Sequence, residues 1–181
     1  NLILACFSYV NLDRIPAVTR QKGIELKKLV KEFKKLHTIK ELEADKSFIR
    51  LAPFMMFDMA ESVRFGNCVI RNYVNEIVTE AEKQFSAVEI VLDDGTSYIS
   101  FRGTDDTIIG WKEDFNLSTG VVPAQERAVE YMQRISDKAS GMLRVGGHSK
   151  GGNLAIYGSV MCKSVHDKIL EIYSNDGPGF S

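Results

Sequence analysis

The stretch that most constrains the fold is VGGHSKGGNLAIY, residues 145–157. Ser149 stands there between Gly147 and Gly151, in the spacing G-x-S-x-G. An apolar run precedes it and a helix-forming run follows. A chain that turns from strand to helix within a residue or two brings two backbones into contact, and only residues without a β-carbon fit between them. The serine at such a turn is held at unusual backbone angles, and its oxygen is pushed out at the carboxyl end of a sheet. The amino terminus of the helix then offers N–H donors and positive potential to a developing oxyanion. Ser149 is therefore the candidate nucleophile, and the N–H of Lys150 a candidate oxyanion donor. Gly147, His148 and Gly151 shape the turn, with a second glycine at Gly152. A phosphate loop needs Gly-Lys-Ser/Thr in that order. Here Lys150 follows Ser149, so the order is wrong. A dinucleotide fingerprint also fails, because neither G-x-G-x-x-G nor a following acidic partner is in place. A glycine-rich turn without chemistry is the plain alternative.

Around this turn the pattern alternates between strand and helix. LRVGG reads as a strand, GGNLAIYGSVMC as a helix and KILEIYS as a strand. Upstream, two extended runs joined by DDGT form a hairpin signal. A helix is expected from Pro123 to about Ala139, with proline in its first turn and Ala128, Tyr131, Met132 and Ile135 inward. The alternation predicts an α/β fold, a partial parallel sheet flanked by helices. Residues 1–86 read as mainly helical and residues 87–181 as the sheet core. Leu2, Ile3, Cys6 and Phe7 suggest a short opening helix, broken near Pro16. From Lys22 to about Asp45, Leu26, Leu29, Val30, Phe33 and Leu36 form a helical stripe. Around it lie Lys27, Lys28, Lys31, Lys34 and Lys35, either an ordinary solvated face or a membrane-surface contact. A helix is expected from Pro53 through Phe57. Another is expected from about Ile70 to Phe85, with Val74, Ile77, Val78 and Ala81 inward. Phe54, Met55, Met56, Phe57 and Met59 fill a core, line an acyl-chain groove or form a lid.

Composition narrows the function. The chain has 181 residues, 44% of them apolar, and a formal net charge of −1. That is enough for a single domain with its own core, and it offers no basic surface for nucleic acid. Cys6, Cys68 and Cys162 are too widely spaced to suggest a zinc site or a disulfide framework. They read as free thiols in a reducing, cytoplasmic setting. No metal or organic cofactor is expected. No run reaches the roughly 18 apolar residues of a membrane span, and NLILACFSYV lacks the basic leader of a signal peptide. The end, EIYSNDGPGFS, stops just after a strand and turn, and is expected to interrupt the fold rather than close it.

With Ser149 as a nucleophile, the stretch YISFRGTDDTIIGWKEDFNLS, residues 98–118, becomes readable. FRGTD, the Trp-x-x-Asp of Trp111 and Asp114, and GHSKGG resemble the class 3 lipase group of α/β-hydrolases. The chain is more similar to a bacterial, lipase-like family of uncharacterised proteins in that superfamily. There LxxxSY (here residues 4–9), FRGTD (101–105), GHSKGGNLA (147–155) and SNDGPGF (174–180) occur in this order. The resemblance implies a serine hydrolase acting on a small-molecule or lipid acyl substrate. It makes Ser149 the nucleophile and Thr104 the oxyanion donor that complements Lys150. Arg102, with Asp114 or Asp105, would form a support network beneath that loop, while Trp111 reads plainly as a core or loop anchor. For Thr104 a plain turn role is the alternative.

A serine nucleophile needs a base, and the base an orienter. In α/β-hydrolases the acid and then the histidine follow the serine. His166 is the only histidine after Ser149, and its place between helix and strand puts it at the wrong end of the sheet. His148 is expected to point away from the serine oxygen, and His37 to be exposed. Asp176 is a candidate triad acid, with a turn role preferred. The acid and histidine are therefore expected beyond Ser181. Class 3 lipases usually carry an apolar residue where Lys150 stands, so a cation there puts a triglyceride substrate in doubt and would suit a partly charged lipid, a thioester or another anionic acyl donor. The rival reading is a non-catalytic, hydrolase-like binding or scaffold domain, with peripheral membrane contact as a variant. Oligomeric state is left open.

Overall fold

The computed structural model describes residues 1–47, 49–78, 83–104, 120 and 122–180. Among them six strands form one open sheet, in the order β1 (Ile24–Glu25), β2 (Val69–Val78), β3 (Lys83–Val91), β4 (Ser97–Phe101), β5 (Leu143–His148) and β6 (Ile169–Asn175). β1 to β4 pair antiparallel, and β4, β5 and β6 run parallel. The fold is thus α/β, as expected, but the sheet is mixed and parallel only in its second half. The helices are α1 (Leu2–Phe7), α2 (Leu26–Leu36), α3 (Ile39–Ala44), α4 (Ala52–Glu61), α5 (Pro123–Ser136) and α6 (Lys150–Met161). Short 3-10 turns lie at Pro16–Thr19 and Lys163–Lys168.

Side chains alternate across a strand, so each strand feeds two cores. On one face Tyr98, Val88 and Ile90 pack with Leu4, Phe7, Leu29 and Met56 from α1, α2 and α4. On the other, Ile99, Phe101 and Val145 meet Tyr131 and Met132 of α5 and Leu154 of α6. The connections from β4 through α5 to β5, and from β5 through α6 to β6, place both helices on this second face. The DDGT hairpin forms as its residues predict. The Leu92 N–H donates to the Thr96 carbonyl at 2.8 Å, and Gly95 takes φ 79°.

The first half departs from the expected helices. The segment expected to be a helix from Ile70 to Phe85 is instead β2 and the start of β3, paired antiparallel. β2 is also bulged. The β2–β3 register shifts between Arg71 and Val74, where Asn72 takes φ 52°. This bulge lets Ile70 and Tyr73, three residues apart, face the same core. A three-residue interval in a strand then mimics a helical one.

The expected helix from Lys22 to Asp45 is divided. β1 precedes α2, and His37 is extended at φ −137°. Thr38 then opens α3 with a capping box. Its hydroxyl accepts the Glu41 N–H at 3.3 Å, and Glu41 accepts the Thr38 N–H at 2.7 Å. The α2 stripe is as expected, with Leu26, Leu29, Val30 and Phe33 buried and Leu36 half-buried. Its lysines are exposed. Lys28 pairs with Glu25, Lys35 with Glu32, and Lys34 sits 4.4 Å over the Phe57 ring. α4 extends past Phe57 to Glu61, and its Met56 and Met59 are core residues. Cys68 and Cys162 are buried free thiols and Cys6 is half-buried. Among the described residues no helix is long and apolar enough to cross a membrane.

Candidate functional site

The site forms where β5 meets α6. Ser149 ends the strand at φ 55° and ψ −129°, a region that L-residues rarely occupy. The glycines on either side explain how this turn fits. A β-carbon on Gly147 would overlap the Gly151 carbonyl, and one on Gly151 would overlap the carbonyl of Phe101 at the end of β4. β4, β5 and α6 are therefore in backbone contact. The turn is tied to the neighbouring strand as well. The Ser149 N–H donates to the Asn175 carbonyl at 2.9 Å, and the Asn175 amide donates to the Gly147 carbonyl at 3.0 Å. The Ser149 carbonyl accepts the Gly152 N–H at 2.8 Å, which starts the helix.

Lys150 leads α6 but does not present its charge to solvent. Its side chain is 1% exposed, and its ammonium donates to the Gln84 carbonyl at 3.2 Å. The expectation of a long cation facing an anionic acyl donor is corrected here: the residue is internal. His148 is half-buried, with Nδ1 3.3 Å from the Tyr9 hydroxyl. Tyr9 is buried and lies against Gly103, where a β-carbon would collide with its hydroxyl and with the His148 carbonyl. The same position on Gly103 is 3.4 Å from the Ser149 β-carbon. The FRGT segment and the elbow thus pack directly on each other, with Tyr9 over the seam. Tyr9 was legible only as the end of LxxxSY. It sits 139 residues from His148, so no local spacing announces its place.

Arg102 is buried, donates to the Asn75 side chain at 3.0 Å and uses its N–H on the Ser86 carbonyl. Asn75 in turn donates to Asp13 at 2.8 Å. Thr104 is half-buried directly after Gly103. Asp105, Trp111 and Asp114 lie outside the described residues. A second support was not anticipated. Gln125 of α5 accepts the Val122 N–H and donates to Asn153 of α6 at 2.8 Å. Asn153 then donates to the carbonyls of Pro178 and Gly179. This buried relay holds the loop after β6 onto the start of α6.

The other titratable candidates are elsewhere. His166 lies beyond the far end of α6, exposed, with Nε2 3.1 Å from the Val160 carbonyl. His37 was expected to be exposed, but it is half-buried and stacked on Phe33 at 4.4 Å between centroids. Asp176 takes φ 52° in the turn after β6 and is exposed. Among the described residues no Ser-His-Asp triad is assembled, and no cluster of His, Cys, Asp and Glu is arranged to hold a metal ion.

Among the described residues, two cavities lie against the first face. The larger, about 400 Å³, lies at the opposite edge of the sheet, where β5 and β6 begin. Its Arg144 is engaged by Asp94 at 3.2 Å and Glu171 at 3.1 Å, and no residue of the elbow lines it. The smaller, about 290 Å³, is bounded by His148 and Tyr9 and is therefore beside the elbow. Proximity to Ser149, not size, makes the smaller one relevant to its chemistry.

No curated protein and no solved structure matches the chain. The profile of the Mbeg1-like family, a family loosely linked to α/β-hydrolase-like proteins, matches residues 59–181. That segment holds β2 through β6, the FRGT segment and the whole elbow, and on this match the chain belongs to the Mbeg1-like family.

Proposed function

We propose that this protein is a serine hydrolase of the lipase-like α/β type, acting on an ester or related acyl substrate from a single hydrolase-like domain. The observation that carries this reading is the backbone of Ser149, at φ 55° and ψ −129° between two glycines in backbone contact. Strain at one non-glycine residue persists where the surroundings enforce it, and such sites are commonly functional. In this reading the Ser149 hydroxyl attacks the acyl carbonyl. The N–H groups of Lys150 and Thr104 hold the oxyanion, supported by the helix start and by the packing of Gly103 on the elbow. The alcohol leaves, and water releases the acyl group from the serine. Arg102, tied to Asn75, braces the loop that carries Thr104. The general base and its orienting acid come from residues outside the described set.

A second reading, a hydrolase-like binding or scaffold domain, is favoured by one observation. His37, His148 and His166 are all described, and each ring has another partner: the Phe33 ring, the Tyr9 hydroxyl and the Val160 carbonyl. Labelling of the full-length protein with a fluorophosphonate probe separates the two. The hydrolase reading expects one labelled residue, Ser149, and loss of the label in Ser149→Ala. Folded full-length protein that takes no label establishes the binding-domain reading instead.

A further inference from the structure

We propose that the cavity beside the elbow is an acyl-chain site for an uncharged hydrocarbon tail of short to medium length. The proposal rests on the reading of Ser149 as nucleophile and names the substrate class of that site. The walls are apolar and come from two helices that the elbow does not otherwise use. Cys6 and Leu2 of α1 form one side, and Ala52 and Met55 of α4, with Ile49 and Leu51 ahead of it, form the other. His148 and Tyr9 also line it, with the His148 Nδ1 3.3 Å from the Tyr9 hydroxyl. Among the described residues no Asp, Glu, Lys or Arg lines the cavity. A charged or sugar-like ligand would find too few partners there, whereas an alkyl chain would lose only water. The polarity also sets a direction. The carbonyl of a bound acyl group faces the end where Tyr9 and His148 meet Gly103 and Ser149, and the tail runs toward Leu2 and Leu51. Those two leucines are 53% and 64% exposed, so the tail end of the cavity has an apolar rim.

The volume bounds the tail. A methylene takes up about as much space as a water molecule in the liquid, about 30 Å³, so the cavity accommodates about eight to ten carbons. Longer chains would emerge at the rim. The Met and Phe cluster of α4 is thereby divided: Met56 and Met59 fill the core, and Met55 faces the cavity.

Two arms test the proposal, and they fail separately from the nucleophile reading. The first needs no turnover. Cys6 lines the cavity, while Cys68 and Cys162 are buried in the cores. In full-length Ser149→Ala, decanoate should slow alkylation of Cys6 by N-ethylmaleimide at least fivefold, read by peptide mass spectrometry, and acetate should not. Equal rates with decanoate and acetate overturn the proposal even where wild-type Ser149 takes the fluorophosphonate label. Protection by decanoate without any label supports the chain site and removes the hydrolase reading alone. The second arm uses p-nitrophenyl esters from acetate to palmitate with the full-length wild type. Each added methylene should raise kcat/KM by roughly fourfold up to eight to ten carbons, then no further. Met55→Trp should lower the octanoate-to-acetate ratio of kcat/KM at least tenfold. Cys6→Phe, on the opposite wall, should do the same where Met55→Trp fails to fold. A ratio unchanged in a folded variant overturns the proposal.

Discussion

At the scale of single residues, the elbow sets stability against the proposed chemistry of Ser149. The Ser149 backbone lies in a region suited to glycine, with a strain of about 1–3 kcal/mol. Glycine there removes the strain but costs about 0.5–1 kcal/mol of extra chain entropy. Ser149→Gly should therefore stabilise the protein by about 1 kcal/mol, raising Tm by about 2–4 °C, and under the proposed function it should also abolish fluorophosphonate labelling. A Tm at or below that of the wild type would show that the turn is not strained. Gly151 has the opposite character. A methyl group there meets the Phe101 carbonyl, part of a strand that cannot give way easily. Gly151→Ala should cost at least about 1–3 kcal/mol, read as a lower urea midpoint at unchanged slope. Lys150 shows how far a side chain can depart from what its type suggests. A cation next to a proposed nucleophile reads as substrate-facing, yet its ammonium is used on the Gln84 carbonyl inside the fold.

At the scale of elements, the antiparallel half of the sheet is organised around a buried carboxylate. Glu89 of β3 is inaccessible to solvent and accepts from Arg71 at 2.7 and 2.9 Å, from Asn72 at 2.6 Å and from Ser97 at 2.7 Å. Those donors come from both neighbouring strands and from the bulge itself. Tyr131 of α5 adds a hydrogen bond to the Asn72 carbonyl at 2.9 Å, so the bulge also docks a helix. Glu89→Ala leaves the Arg71 charge and the Asn72 and Ser97 donors without their acceptor, and should cost about 3 kcal/mol in urea denaturation. Glu25→Ala, which breaks only the exposed pair with Lys28, should shift the midpoint by less than about 0.5 kcal/mol. Equal losses in the two variants would mean that the buried network adds no more than a surface pair. The relay from Gln125 through Asn153 to Pro178 and Gly179 is the counterpart on the parallel side, where it ties two helices and a loop together.

At the scale of the molecule, the sheet separates two cores, and the three thiols sample them differently. Cys68 is in the first core, Cys162 in the second, and Cys6 at the edge of the cavity. Burial pushes the Cys68 thiol up to about 11, with the nearby Asp93 and Asp94 adding to the shift, and burial also raises Cys6. A raised thiol pKa means less thiolate, the reactive form, at neutral pH. At pH 8, Ellman's reagent should therefore titrate Cys6 alone and slowly. Cys68 and Cys162 should follow at the rate of unfolding, and all three should react at once in urea. Three equal, fast reactions in native buffer would show that the cores open far more readily than their packing implies.

Local rules determined what lies close in the chain. The elbow, the DDGT hairpin, α5 with Ala128, Tyr131, Met132 and Ile135 inward, and the α2 stripe all follow from periodicity, turn residues and glycine sterics over a few positions. The alternation of strand and helix after residue 87 determined an α/β fold. Tertiary structure alone decided the rest. The segment with Val74, Ile77 and Val78 carries a helical interval, yet it is a strand because β3 supplies its pairing partners. Lys150 is internal because the Gln84 carbonyl waits 66 positions away. Tyr9 belongs to the site because the fold brings α1 across the end of β5. Pairing and burial depend on which distant segments meet, and a one-dimensional pattern of side chains carries no term for that contact.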